Sequence, residues 1–157
     1  MKIIGVKPDT GETFQEDVAE ISNDYFQEFS IFEMSDDDIK RMIDRLNISA
    51  DIKALLFKFS KATLKVGSYV LKVGRKIIDY ICSAFREYPN TGFGMLFGAI
   101  VTLLIASIPV LGALLAPIVG PILIAYGILV GANVDLENKK LKTRVQDIVA
   151  SFIPLKT

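Results

Sequence analysis

The sequence predicts an all-α membrane protein: a long amphipathic helix, a transmembrane helical hairpin, a small acidic N-terminal lobe with a short strand, and a C-terminal amphipathic helix. The first observation is that Gly92 to Val134 contains no charged residue, although 23% of the chain is charged. The second is that carboxylates dominate from Asp9 to Asp51, whereas basic residues dominate from Lys53 to Arg86. The zero net charge therefore hides a strong segregation of charge and hydropathy along the chain.

A chain of 157 residues has room for a single hydrophobic core. We expect four regions within it. They are an acidic cytosolic N-terminal region (1–48), a long basic amphipathic helix (49–88), a transmembrane hairpin (89–134) and a cytosolic amphipathic C-terminal helix (135–157).

The acidic region begins with KIIGV, which favours a short strand before the turn residues of KPDTGE. In TFQEDVAEISNDYFQEF, apolar residues recur at helical spacing and predict a first helix. In SDDDIKRMIDRL, Ser35 and Asp38 have the spacing of a capping box, which predicts a second helix.

Residues 49–88 are predicted to form one helix, with Ser49 as its N-cap and Pro89 as its stop. On a helical wheel most of its basic residues fall within an arc of roughly 100°. This basic stripe consists of Lys58, Lys61, Lys65, Lys72, Arg75 and Lys76. Gly67 and Gly74 lie almost opposite it and predict that another helix packs closely there.

The basic stripe has three interpretations. It can be the solvated face of an amphipathic helix whose lysines reach anionic lipid. It can line a vestibule or pore in an oligomer. It can also bind the phosphates of an anionic nucleotide or oligonucleotide signal.

The uncharged run is long enough for two spans of a bilayer, since about 20 residues cross its hydrocarbon core. SIPVLG supplies a turn between helices predicted at 92–108 and 111–132, and Pro117 and Pro121 should kink the second helix or make it re-entrant. Basic residues flank the run on both sides. This pattern predicts the bacterial inner membrane as the location, with both termini in the cytosol and the lipid bilayer as a partner.

Small residues recur along the run and let helices approach closely. The glycines predicted to pack there are Gly94, Gly98, Gly112, Gly120, Gly127 and Gly131. They predict a homo-oligomer, although glycine is common in any membrane helix.

The sequence has no histidine, a single cysteine and no known catalytic, metal-binding or cofactor motif. We therefore expect no enzyme, no cofactor and no metal. Asp36, Asp37 and Asp38 fit a helix N-terminus, where carboxylates are stabilised by the helix dipole. They are also candidates for a gate that docks on the lysines of the basic stripe.

The apolar hairpin in GAIVTLLIASIPVLGALL and ILIAYGILVGANVDLENKK, between amphipathic helices, resembles the pore-forming domain of colicins. The small size, acidic lobe and compact apolar part are also similar to membrane effectors of bacterial antiphage systems, including the channel subunit of the Hailong system. That resemblance implies a homo-oligomeric channel that a cytosolic signal opens to arrest the cell.

The leading hypothesis is therefore a homo-oligomeric ion channel that acts as a growth-arresting effector. Two alternatives stay open. One is a colicin-like toxin that hides its hairpin until it meets a membrane, and the other is a non-conducting anchor or adaptor that recruits a partner through its acidic lobe.

Overall fold

The computed structural model describes residues 1–31, 34–127 and 138–156. It begins with a four-stranded antiparallel sheet of order β2-β1-β3-β4. The strands are β1 Lys2–Val6, β2 Thr13–Asp17, β3 Thr63–Val66 and β4 Tyr69–Leu71. The strand predicted at KIIGV is confirmed as β1, the central strand that pairs with both β2 and β3.

Three helices lie between β2 and β3 in sequence: α1 Asn23–Ile31, α2 Asp36–Asp44 and α3 Ala50–Phe59. The predicted cap of α2 is confirmed, because the Asp38 N–H donates to Ser35 Oγ and the Ser35 N–H donates to the Asp38 carboxylate. Ser49 likewise caps α3 through the Ile52 N–H. The helix predicted from Thr13 is wrong at its start, since TFQED forms β2 and pairs with β1.

The single helix predicted over residues 49–88 is wrong. The chain forms α3, then the β3–β4 hairpin, then α4 Val73–Glu87. Gly67 lies between the two strands with a φ of 57°, a conformation that favours glycine and turns the chain back. β-Branched residues in TLKV and YVL favour strands. The helical spacing of the basic residues across this stretch instead predicted a continuous helix.

The uncharged run forms α5 Phe93–Ser107 and α6 Pro109–Ala125, which pack against each other as a hairpin. Short 3-10 turns cover Pro89–Thr91 before it and Ile153–Leu155 near the carboxyl end. The turn between the helices falls where it was predicted. Helix α6 continues through Pro117 and Pro121, so it is not broken into a re-entrant piece.

The prediction that this hairpin spans a membrane is wrong. Within the described residues, no helix is both long and apolar enough to cross a bilayer. At 15 and 17 residues, α5 and α6 extend about 22 and 25 Å, less than a hydrocarbon core of about 30 Å. The transmembrane and pore-forming character and the location in the bacterial inner membrane rested on these spans, and are corrected with them.

The inner sides of α5 and α6 are part of the common hydrophobic core. Helices α3 and α4 pack against them, and so does α7 Lys139–Ala150. The predicted apolar face of α7 is confirmed, because Leu141, Val145 and Ile148 are buried. The fold class is therefore mixed α/β, in place of the predicted all-α membrane fold.

Helix α4 approaches α3 most closely at Gly74. A Cβ placed there would overlap the carbonyl oxygen of Phe59 and lie 3.0 Å from the Cα of Ser60. A Cβ placed on Gly120 in α6 would instead lie in open space. These two helical glycines therefore form a matched pair.

We predict that Gly74→Ala lowers the free energy of unfolding by about 1–3 kcal/mol, because backbone atoms of α3 would have to move. Gly120→Ala should instead leave it unchanged or raise it by up to about 1 kcal/mol, because alanine favours a helix. Urea unfolding of both variants checks this. Equal effects of the two substitutions would show that Gly74 is not a close-packing position.

Candidate functional site

The basic stripe does not exist as one helical face in the structure. Lys58 lies in the last turn of α3, Lys65 in β3, and Lys72 precedes α4. Arg75 and Lys76 follow in the first turns of α4. The β3–β4 hairpin, which turns at Gly67, interrupts the predicted helix and places the residues of the basic stripe in groups with different surroundings.

Arg75 is largely enclosed, with a side chain that is 13% exposed. Its Nη1 donates to the carbonyl oxygen of Met34 at 2.6 Å, and its Nη2 pairs with the carboxylate of Asp36. Partial burial lowers the pKa of Arg75. The predicted gate residue Asp36 and the predicted stripe residue Arg75 therefore meet, and together they attach the start of α2 to α4.

A cleft of about 230 Å³ lies beside this ion pair; we call it the Arg75 cleft. It is lined by Asp36, Ser60, Lys61, Thr63, Val70, Lys72 and Arg75. Three cations and one carboxylate give it a basic character, but its carboxylate already pairs with Arg75. An anion that enters this cleft would therefore compete with Asp36 for the guanidinium group.

Lys76 lies elsewhere, under α1. Its Nζ is 4.2 Å from the ring centroid of Phe29 and 5.9 Å from that of Tyr80. Burial lowers the pKa of Lys76, and the charges of Glu28 and Asp79 act in the opposite direction. Cation–π contact explains how this lysine is accommodated in a half-buried position.

The remaining gate candidates differ in their contacts. Asp38 belongs to the capping box, and its hydrogen bonds with Ser35 lower the pKa of its carboxyl group. Asp37 is exposed in the first turn of α2. The three adjacent aspartates thus divide into one ion pair, one helix cap and one solvated carboxylate.

The glycines predicted to mediate helix packing have several different roles. A Cβ on Gly94 would lie 2.6 Å from the ring of Tyr126, and one on Gly112 would lie 3.3 Å from the carbonyl oxygen of Ile105. Gly98 is buried within α5. Gly127 has a φ of 73° after α6, whereas Gly120 faces open space and Gly131 lies outside the described residues.

No described residue covers one side of the α5–α6 hairpin, which we call the hairpin face. Its exposed residues are Met95, Leu103, Ala106, Pro109, Ala113, Ala116, Pro117, Pro121, Ile124 and Ala125. Leu103 is 42% exposed and Ile124 is 68% exposed. The antiparallel packing joins the two stripes, since Gly94 lies beside Tyr126 at one end and Ile105 lies beside Gly112 at the other.

Sequence reasoning missed the hairpin face because α5 and α6 are apolar on every side. Such a helix is expected to be wholly buried or surrounded by lipid. The available signal was the row of small residues in α6, where Ala116 and Gly120 turn out to face outward.

The described residues contain no group of three or more histidine, cysteine, aspartate or glutamate side chains placed to hold a metal ion. No protein-family profile, curated protein or solved structure matches this chain. The resemblance to colicins and to antiphage effectors therefore stays a prediction.

We predict that Asp38→Ala destabilises the protein near neutral pH more than Asp37→Ala does, because only Asp38 completes the capping box. A carboxyl group whose pKa is lowered by folding stabilises the protein fully above its unfolded-state pKa, near 3.8. That contribution disappears as the pH falls through the lower, folded-state pKa. The difference between wild type and Asp38→Ala should narrow over this acidic range.

Denaturant unfolding at a series of pH values measures this difference, with Asp37→Ala as the control. A loss that is equal in both variants, or that does not change with pH, would contradict the assigned role of Asp38.

Proposed function

We propose that the protein is a non-catalytic interaction module that pairs with a second copy of itself through the hairpin face. The observation that carries this proposal is the exposure of apolar side chains along both α5 and α6, with no charged residue among them. Contiguous apolar surface of this kind is typical of interaction sites.

The size of the hairpin face fits a reversible dimer. Helices of this length extend over about 22 Å, and two packed helices present a width of about 18 Å. The face therefore covers about 400 Å² in projection on each copy, or about 800 Å² in a pair. Because side chains protrude from the helices, the accessible area of the pair is larger than this projected area. It then falls at the lower end of the range for specific, transient interfaces.

A second copy is the partner that the chemistry of the face favours. Electrostatic complementarity, which selects between different partners, is absent from a face without charges. A two-fold axis brings identical patches together, and an apolar patch is complementary to itself. Small residues such as Ala113 and Ala116 allow the helices of two copies to approach closely.

The homo-oligomer expected from the sequence is part of this proposal. Its interface would be the outward side of the folded α5–α6 hairpin. It is closest to the adaptor hypothesis, in which the hairpin serves attachment and does not conduct. The partner of the resulting dimer would be recruited by surfaces outside the hairpin face.

We predict that sedimentation velocity at increasing protein concentration shows a monomer–dimer equilibrium for the full chain. Ile124→Lys combined with Ala113→Lys should weaken the dimer at least about tenfold, because each copy would bury charges of the same sign that have no counter-charge in the interface. The control is Val70→Lys, which places a charge at an apolar residue of β4 that is 48% exposed and lies outside the hairpin face.

Val70→Lys should dimerise as the wild type does, and all variants should keep the wild-type circular dichroism spectrum. A wild-type chain that stays monomeric at every concentration would overturn the proposal. Equal weakening by Val70→Lys would also overturn it, since the hairpin face would then not be the interface.

A further inference from the structure

A second cleft, of about 340 Å³, lies between α2 and α4; we call it the arginine cleft. It is lined by Met34, Asp38, Arg41, Met42, Arg45, Leu46, Cys82, Phe85 and Arg86. Its volume falls at the small end of the range for ligand-binding sites in proteins.

The floor of the arginine cleft is apolar. Leu46 and Cys82 are buried, and Phe85 is half-buried beside them. Met34 and Met42 complete the apolar lining, and methionine side chains adapt readily to the shape of a ligand. This floor suits an aliphatic body.

The rim of the cleft carries three guanidinium groups, from Arg41, Arg45 and Arg86. Among the described residues, no carboxylate lies within ion-pair distance of any of the three. The single carboxylate of the lining, that of Asp38, already accepts the Ser35 N–H in the capping box. Asp38 acts electrostatically on Arg41, and Asp79 on Arg86, at longer range. The rim therefore offers three guanidinium groups that form no close ion pair with a described residue, beside an apolar floor.

We propose that the arginine cleft binds a small amphipathic anion, namely a carboxylate with an unbranched aliphatic chain of medium length. The carboxylate lies between the guanidinium groups, which bind such groups through paired N–H donors. The aliphatic chain lies on the floor formed by Leu46, Phe85 and the methionines.

An aliphatic anion fits this lining better than a nucleotide does. The hydrogen-bonding side chains of the lining are Asp38, which is engaged in the capping box, and the three arginines, which the anionic group would occupy. The rest of the lining is apolar and offers an aliphatic chain more contact than the polar edge of a base. The proposal concerns neither the basic stripe nor the hairpin face. It is independent of the proposed self-association.

The first measurement is isothermal titration of the full chain with decanoate, below the concentration at which decanoate forms micelles. Decanol tests the need for the charge, decyltrimethylammonium tests its sign, and adenosine triphosphate tests a polyanion without an aliphatic chain. We expect decanoate to bind and the other three to bind at least about tenfold more weakly, which corresponds to the loss of one charged interaction.

Arg41→Gln and Arg86→Gln should each weaken decanoate binding about tenfold, and their combination should weaken it further. Lys40→Gln is the matched control. It makes the same change of charge at an exposed position of the same helix α2, outside the cleft lining, and should bind decanoate as the wild type does.

Cys82 allows the bound ligand to be located. It is the only cysteine of the chain and it lines the cleft. Because it is buried and burial raises its pKa to about 12, it forms little of the reactive thiolate, and its slow modification is followed at alkaline pH. Its modification by methyl methanethiosulfonate, followed by mass spectrometry, should be slowed by decanoate in the wild type. In the double arginine variant the same decanoate concentration should give little protection.

Binding of decanoate with Cys82 protection that the arginine substitutions abolish would support the proposal. Binding without protection, equal binding of decanol, or tighter binding of adenosine triphosphate would each overturn it. Ile124→Lys with Ala113→Lys should keep decanoate binding, so failure of the dimer and failure of the ligand site are distinguishable.

Discussion

The contact between Gly74 and the end of α3 determines how the sheet and the apolar α5–α6 hairpin share one hydrophobic core. The Gly74 N–H donates to the carbonyl oxygen of Ala62 at 3.0 Å, and its Cα faces the carbonyl oxygen of Phe59. Helix α4 therefore starts directly against the strand connection that precedes it. The ring of Phe59 continues the contact to Phe97 in α5, with centroids 5.5 Å apart. Sheet and apolar hairpin are joined at this point.

The parts of the fold that the sequence predicts correctly are those set by neighbouring residues. The capping box of Ser35 and Asp38, the N-cap of Ser49 and the stop at Pro89 all depend on hydrogen bonds or steric effects within a few residues. The errors are of two kinds: the strands of TFQED and of residues 63–71, which were predicted as helix, and the environment of the apolar hairpin. A helix that is apolar on every side has the same pattern in a protein core as in lipid, and only the length of the folded helix separates the two environments.

The candidate sites were less predictable than the fold. Acidic and basic residues could be recognised as complementary, but the pairing of Asp36 with Arg75 joins positions far apart in sequence and follows from the docking of α2 on α4. The arginine cleft has the same origin, since Arg41 and Arg86 belong to different helices. The hairpin face depends on which sides of α5 and α6 the other helices cover. No local pattern contains that information.

The chain order of the elements has a consequence for biosynthesis. Strand β1 is made early, but its partner β3 follows only after three helices, so the edge of the first hairpin stays open until then. The apolar α5–α6 hairpin, the most aggregation-prone segment, is made in a different order relative to its partners. Helices α3 and α4, which cover the inner sides of α5 and α6, precede them and can already be folded when the apolar hairpin leaves the ribosome. A nascent chain therefore exposes its strand edge for longer than the inner sides of its apolar hairpin.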